Sequence, residues 1–108
     1  MTTYTLINKS VSSVGSAAST VYSCATAASA VLTGGTIANL LTDPVAVTVT
    51  VNNGTTDINR IYQIQLNPGE TMNPLNGGRW TMTGGTVLKV KADVNAALDV
   101  MFDGVELT

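Results

Sequence analysis

The sequence predicts an all-β chain folded as a single antiparallel β-sandwich, jelly-roll-like, with seven to nine short strands. Three observations carry that prediction. Apolar residues recur with a period of two, most clearly at Val45, Val47, Val49 and Val51, and successive strand side chains point to opposite faces. Turn sequences such as Asn53-Gly54, Pro68-Gly69, Gly77-Gly78 and Gly84-Gly85 punctuate the alternating stretches, at the spacing of about 8 to 12 residues usual for sandwiches. The one helix-like stretch, Ala25 to Leu32, is too short to hold alone and lacks an apolar stripe.

Taken in order, Tyr4 to Asn8 and Ser19 to Cys24 read as strands, and Val31 to Leu41 as one or two more. Val45 to Val51 follows, with Val inward and Thr outward, and Asn52-Asn53-Gly54 ends it because Asn-Gly readily takes the positive φ of a tight turn. Ile58 to Leu66 is next, placing Ile58, Arg60, Tyr62, Ile64 and Leu66 on one face and Asn59, Ile61, Gln63 and Gln65 on the other. Asn67-Pro68-Gly69-Glu70 turns the chain, since Pro presets φ and Gly takes the conformation other residues resist. Glu70 to Leu75 is a shorter strand. Arg79 to Thr83 carries Trp80 and Met82 on one face, and Val87 to Val94 sets Leu88, Val90, Ala92 and Val94 against Lys89, Lys91 and Asp93. Leu98, Val100 and Phe102 mark the last long strand, with Asp99, Met101 and Asp103 outward and a continuation to Leu107 after a kink at Gly104.

At 108 residues the chain is one domain, 1–108. Residues 1–19 are uncharged apart from Lys9 and rich in Ser, and are read as a flexible N-terminal arm. Charged residues make up only 11%, well under the roughly 25% of ordinary soluble domains, and the polar share comes from Thr, Asn and Ser. A net charge of −2 argues against nucleic acid as a partner, because phosphate binding needs a basic patch. The uncharged run from Ser10 to Thr42 is too rich in Ser and Thr, and too broken by Gly34-Gly35, to read as a membrane span. Val21-Tyr22-Ser23-Cys24 has the outline of a lipoprotein cleavage box, but the segment before it is too polar for a signal core.

No constellation for catalysis emerges. There is no His, the commonest general base and metal ligand. The lone Cys24 forms no internal disulfide and, with no His beside it, makes a poor nucleophile. Asp99 and Asp103 share a strand face, and paired acids hydrolyse glycosides when held about 5 to 9.5 Å apart, but both read as solvated outward positions. The Gly pairs lack the residues of a phosphate loop, and Asp43 and Asp57 lack the spacing of a calcium loop. No cofactor and no metal are expected. What remains is surface. A low-charge face rich in Thr, Asn and Gln keeps hydrogen-bonding capacity at little desolvation cost, which suits repeated protein contacts. Tyr4, Ile61, Tyr62, Trp80 and Met101 are the candidate interaction residues. Trp80 and Tyr62 are also the residues a sugar-binding sandwich would use for stacking, but both lie on strands beside apolar neighbours, which favours the core or a subunit interface.

The order of short motifs resembles a family of small virion proteins of tailed bacteriophages, of the cement, head-accessory and tail types. The resemblance rests on Thr20-Val21-Tyr22, Thr36-Ile37-Ala38-Asn39, Val45 to Val51, Asn67-Pro68-Gly69-Glu70-Thr71, Gly85-Thr86-Val87-Leu88-Lys89-Val90-Lys91-Ala92, and the ending Leu98-Asp99-Val100 to Val105-Glu106-Leu107. It covers about residues 17 to 107, and each motif is mostly turn-and-strand grammar. The loop after Tyr22 departs from it, having Ser23-Cys24-Ala25-Thr26-Ala27 where the family carries Pro-Ala-Gly, as does Gly84-Gly85-Thr86 where the family has Gly-Asp. The resemblance implies a non-enzymatic virion structural protein that is made in the host cytoplasm. Its place would be the capsid surface as cement or decoration, or the neck or tail. Its partners would be the major capsid protein or other virion proteins and, as a homo-oligomer, its own copies.

Overall fold

The computed structural model describes residues 3–108, which form nine strands and no helix. They are β1 (Tyr4–Val14), β2 (Ser19–Ser23), β3 (Ser29–Asn39), β4 (Val45–Asn52), β5 (Asp57–Leu66), β6 (Thr71–Met72), β7 (Trp80–Thr83), β8 (Val87–Ala92) and β9 (Leu98–Leu107). All pairings are antiparallel. One sheet, A, has the order β1-β9-β3 with β6 and β7 both on the far side of β3; the other, B, has the order β2-β8-β4-β5. The pairings nest: β4 with β5, β3 with β6 and β7, β2 with β8, β1 with β9. A long hairpin is thus folded about the Asn52-Asn53-Gly54 turn and rolled up, which is the jelly-roll arrangement, and the predicted all-β sandwich is the fold found.

The period-two pattern explains the core. Ile37, Leu32, Leu98, Val100 and Phe102 of sheet A meet Val45, Val47, Val49, Leu88 and Val90 of sheet B, all of them 2% exposed or less. Each such side chain contributes about 1.5–3 kcal/mol by leaving water. Asn39, the one fully enclosed amide, is satisfied on every side: its Nδ2 donates to the carbonyls of Asp43 (2.9 Å) and Leu66 (3.1 Å), and its Oδ1 accepts from the Leu41 N–H (2.8 Å). It ties the end of β3 to the end of β5 across the sandwich.

Several elements differ from the sequence expectation. The segment read as a free arm forms β1, an edge strand paired along its length with β9; beyond it, Thr3 and Thr108 exchange both backbone hydrogen bonds. Burial of Ile7 and Val14 draws β1 onto the sheet, and a bulge between Val11 and Val14 lets it follow the curvature. Met1 and Thr2, the start of that arm, lie outside the described residues. β9 runs unbroken through Gly104 where a kink was expected. A Cβ at Gly104 would strike the Val31 carbonyl and the Leu32 Cα, so the glycine permits a close approach of β3 and does not bend β9. β6 stops at Met72, because Pro74 has no N–H to continue the ladder and the Asn73 side chain takes the Leu75 N–H into a turn.

The largest difference is in β5. Its register against β4 slips twice, between Ile64 and Ile61 and again between Ile61 and Asn59. Each extra residue inverts the alternation. The first slip leaves Gln63 at φ 50° with its N–H donating to Thr48 Oγ1 (3.3 Å), and this cover buries the nominally outward Thr48. Ile61, expected outward, is brought opposite the buried Val49, where it is half-buried and packs against the core.

Candidate interaction surface

The five candidate residues are divided by the fold. Trp80 is only 8% exposed: its ring sits 6.0 Å from that of Phe102, and the Arg60 guanidinium lies over it at 4.7 Å. Arg60 belongs to sheet B and Trp80 to sheet A, so this cation–π contact is a clasp at the β5 side of the sandwich. Ile61 is core-facing, as described. Tyr62 remains 61% exposed beside the β5 bulge, and Tyr4 (70%) and Met101 (40%) stand on the outside of sheet A.

Register places the neighbours of Tyr4 on that outer face. Tyr4 pairs with Leu107, and Leu6 pairs with Val105, which in turn faces Val31 of β3. Buried Ala30 and Leu32 flank Val31 on β3, and on β9 the alternation set by buried Val100, Phe102 and Gly104 continues to Val105 and Leu107, so all three point outward. Leu6 is 85% exposed, and Val31, Val105 and Leu107 are half-buried. Together with Tyr4 they make one apolar patch at the end of sheet A where Thr3 pairs with Thr108. Folding leaves it uncovered, and contiguous patches of this kind mark contact surfaces. Sequence reasoning singled out Tyr4 and missed Leu6, Val31, Val105 and Leu107. The signal was present: Tyr4 and Leu6 alternate with Thr5 and Ile7, so both faces of the first strand carry an apolar side chain.

Further along the same face, Ser10, Met101 and Thr36 form one row, and Asp99 and Ala38 the next. Here Ser10, Ser12, Thr36, Ala38, Asp99 and Met101 line a shallow groove. Asp99 accepts a hydrogen bond from the Ser13 N–H (3.1 Å) at the β1 bulge, while Asp103 sits over Gly34, which leaves room for its carboxylate. Four strand residues separate the two acids by roughly 13 Å, beyond the span of two-carboxylate glycoside chemistry. The outer face of sheet B differs. Lys89 and Lys91 of β8 stand among Thr20, Thr48 and Thr50, their cross-strand partners.

At the opposite edge the sandwich is closed by a polar tie. Tyr22 Oη of β2 donates to Glu106 Oε1 of β9, joining the two sheets, with Cys24 enclosed nearby. Burial, and then the hydrogen bond to Glu106, push the Tyr22 phenol far above its ordinary value. Burial likewise pushes the Cys24 thiol up, so it is held as an unreactive thiol. No group of three or more metal-ligating side chains occurs among the described residues.

No family model matches the chain, and no curated protein matches it. Among solved structures it is similar to one from Bacillus endospore appendages, described as a novel family of disulfide-linked pili. The TM-score is 0.60 at 14% identity, over 99% of this chain and 88% of that one. At that identity the likeness is one of fold.

Proposed function

We propose that this chain is a non-enzymatic structural subunit of a bacteriophage virion, a cement protein that docks on the assembled head. One observation carries the reading: the apolar patch of Tyr4, Leu6, Val31, Val105 and Leu107, which the fold builds and leaves open to solvent. A partner covering it gains the free energy of apolar burial only in the assembled state, so binding stabilises the particle over its free parts. The resemblance of the strand-and-turn motifs to small phage virion proteins supplies the kind of particle. A place in the neck or tail is the alternative site for the same surface.

The fold shared with the pilus subunit favours a second reading, a fibre-forming subunit. Disulfide linkage along such a fibre would require two half-cystines per subunit, and this chain has the single, buried Cys24. A fibre of this chain would therefore not be linked along its length by disulfides. A glycan-binding module is less well served, because Arg60 already occupies the Trp80 ring face that a sugar would stack on.

The test is the copy number of this protein in purified virions, by quantitative mass spectrometry against the major capsid protein. A ratio of one, or a simple fraction of one, supports cement. A few copies per particle moves the protein to the neck or tail, and absence from the particle overturns the virion reading.

A further inference from the structure

Two turns of the molecule carry the dipeptide Asn-Gly: Asn53-Gly54 between β4 and β5, and Asn76-Gly77 between β6 and β7. Both asparagines are exposed, and nothing lies within 4 Å of where a Cβ would stand on either glycine. Local sequence and open space are therefore the same at the two sites. Their hydrogen bonds are not. At the first, the Gly54 N–H donates to Asn52 Oδ1 (2.8 Å). Asn53 Oδ1 accepts from the N–H groups of Thr55 (3.2 Å) and Thr56 (2.9 Å) and from Thr55 Oγ1 (3.2 Å), and the Asn53 N–H closes the turn on the Thr56 carbonyl (3.1 Å). At the second, Asn76 and Gly77 take successive φ values of 51° and 79°, and the Leu75 carbonyl accepts from the Gly78 N–H (2.9 Å), which makes a type I′ turn. The bond of such a turn joins its first and fourth residues and leaves the N–H of the third, here Gly77, unused. Among the described residues, neither the Gly77 N–H nor the Asn76 side chain has a hydrogen-bond partner.

We propose that Asn76 is a self-modification site, converting spontaneously to aspartate and isoaspartate in the folded protein, while the hydrogen bond to Asn52 spares Asn53. The co-reactant is water. The Gly77 nitrogen gives up its proton and attacks Asn76 Cγ; a C–N bond forms, the bond from Cγ to the side-chain nitrogen breaks, and that nitrogen takes up a proton and leaves as ammonia. The product is a five-membered cyclic imide. Water opening it at Cγ gives an ordinary aspartate, and water opening it at the backbone carbonyl gives isoaspartate, in which the chain runs through Cγ. The sum is amide plus water to carboxylate plus ammonium, with nothing oxidised or reduced. At Gly77 the attacking nitrogen is free and no side chain hinders its approach. At Gly54 the same proton is held by Asn52 Oδ1, and the Asn53 amide must leave three hydrogen bonds before its carbon can turn toward the nitrogen. Asn67 and Asn73 are closed to this route because Pro68 and Pro74 carry no N–H. Conversion of Asn76 adds one negative charge to a chain of net charge −2. The isoaspartyl form also puts an extra backbone carbon inside the turn that leads to β7, so the Leu75–Gly78 bond that closes the turn is lost. The site needs no partner and stands apart from the virion reading.

Incubating the purified full chain in mildly alkaline buffer tests this, with samples taken over time. Ion-exchange chromatography follows the added charge, and peptide mass spectrometry locates it. In the folded protein Asn76 is expected to convert first, with Asn53 slower by roughly tenfold or more because its turn must open before it reacts. In concentrated urea the two sites are expected to convert at similar rates, since the local sequence is the same and the turn bonds are gone. Asn52→Ala removes the acceptor of the Gly54 N–H and is expected to speed conversion of Asn53 by roughly fivefold, with Asn76 unchanged as the internal reference. Circular dichroism of that variant confirms that it is folded, and the comparison of folded with unfolded wild type stands without it. Conversion of Asn53 as fast as Asn76 in the folded chain would overturn the proposal. So would a folded chain that keeps Asn76 intact while the unfolded chain converts, or an Asn52→Ala variant whose Asn53 reacts no faster.

Discussion

β4 and β5 are the two arms of one hairpin, β4 with Val at every second position and β5 with Ile at 58, 61 and 64, and they end in different environments. Val45, Val47 and Val49 of β4 are completely buried, while Ile58 and Ile64 of β5 remain 47% and 49% exposed. The partners of those isoleucines are the well-buried Val47 and the half-buried Val51, so all four point to the same side of sheet B. The difference comes from what lies across the sandwich. β4 is flanked by β8 and β5 and covered by sheet A, whereas β5 is an edge strand whose main cover is the Arg60–Trp80 clasp. Alternation establishes which side a residue faces; burial depends on whether the other sheet reaches that far.

The contrast can be broken most strongly at the buried arm. Val49→Ala is expected to cost about 2 kcal/mol or more through lost burial and the cavity left behind, against under about 1 kcal/mol for Ile64→Ala, both read from urea denaturation. Equal costs would mean that β5 is covered as fully as β4. Asn39→Ala, which leaves the Leu66 and Asp43 carbonyls unpaired at the end of that hairpin, should cost about 1–3 kcal/mol in the same assay. Arg60→Ala removes the clasp and should cost about 0.5–1 kcal/mol, with the emission of the only tryptophan moving to longer wavelength as Trp80 becomes wet.

The closed edge responds to pH instead. Tyr22 and Cys24 have folded-state pKa values raised above their unfolded values, so the folded chain holds more protons once the pH passes the unfolded thiol's value. Stability is then flat through neutral pH and declines from about pH 9 upward. Thermal melts from pH 7 to 10.5 check this, and Cys24→Ala should flatten the first part of the decline.

The sheet-forming stretches and most turns were legible in the sequence because Val/Thr alternation and Asn-Gly or Pro-Gly turns are local signals. The β5 bulges were not, since nothing in Asn59 to Ile64 marks where an extra residue will be inserted; that depends on matching the curvature of β4. This is why Ile61 was assigned outward. The candidate surface was half legible. Tyr4 and Met101 follow from alternation alone, but Leu6, Val31, Val105 and Leu107 become one patch only when β1 and β3 settle on either side of β9. For Trp80 alternation leaves core and subunit interface both open, and what makes it core is cover that comes from the other sheet, through Arg60.

The central claim is that the outer face of sheet A serves contact and not folding, and Leu6→Asp tests it most directly. Leu6 is 85% exposed, so the variant should melt within a degree or two of the wild type, as surface substitutions do. Added to particles lacking this protein, it should bind at least tenfold more weakly than the wild type. An unchanged melting point with undiminished particle binding would contradict the account.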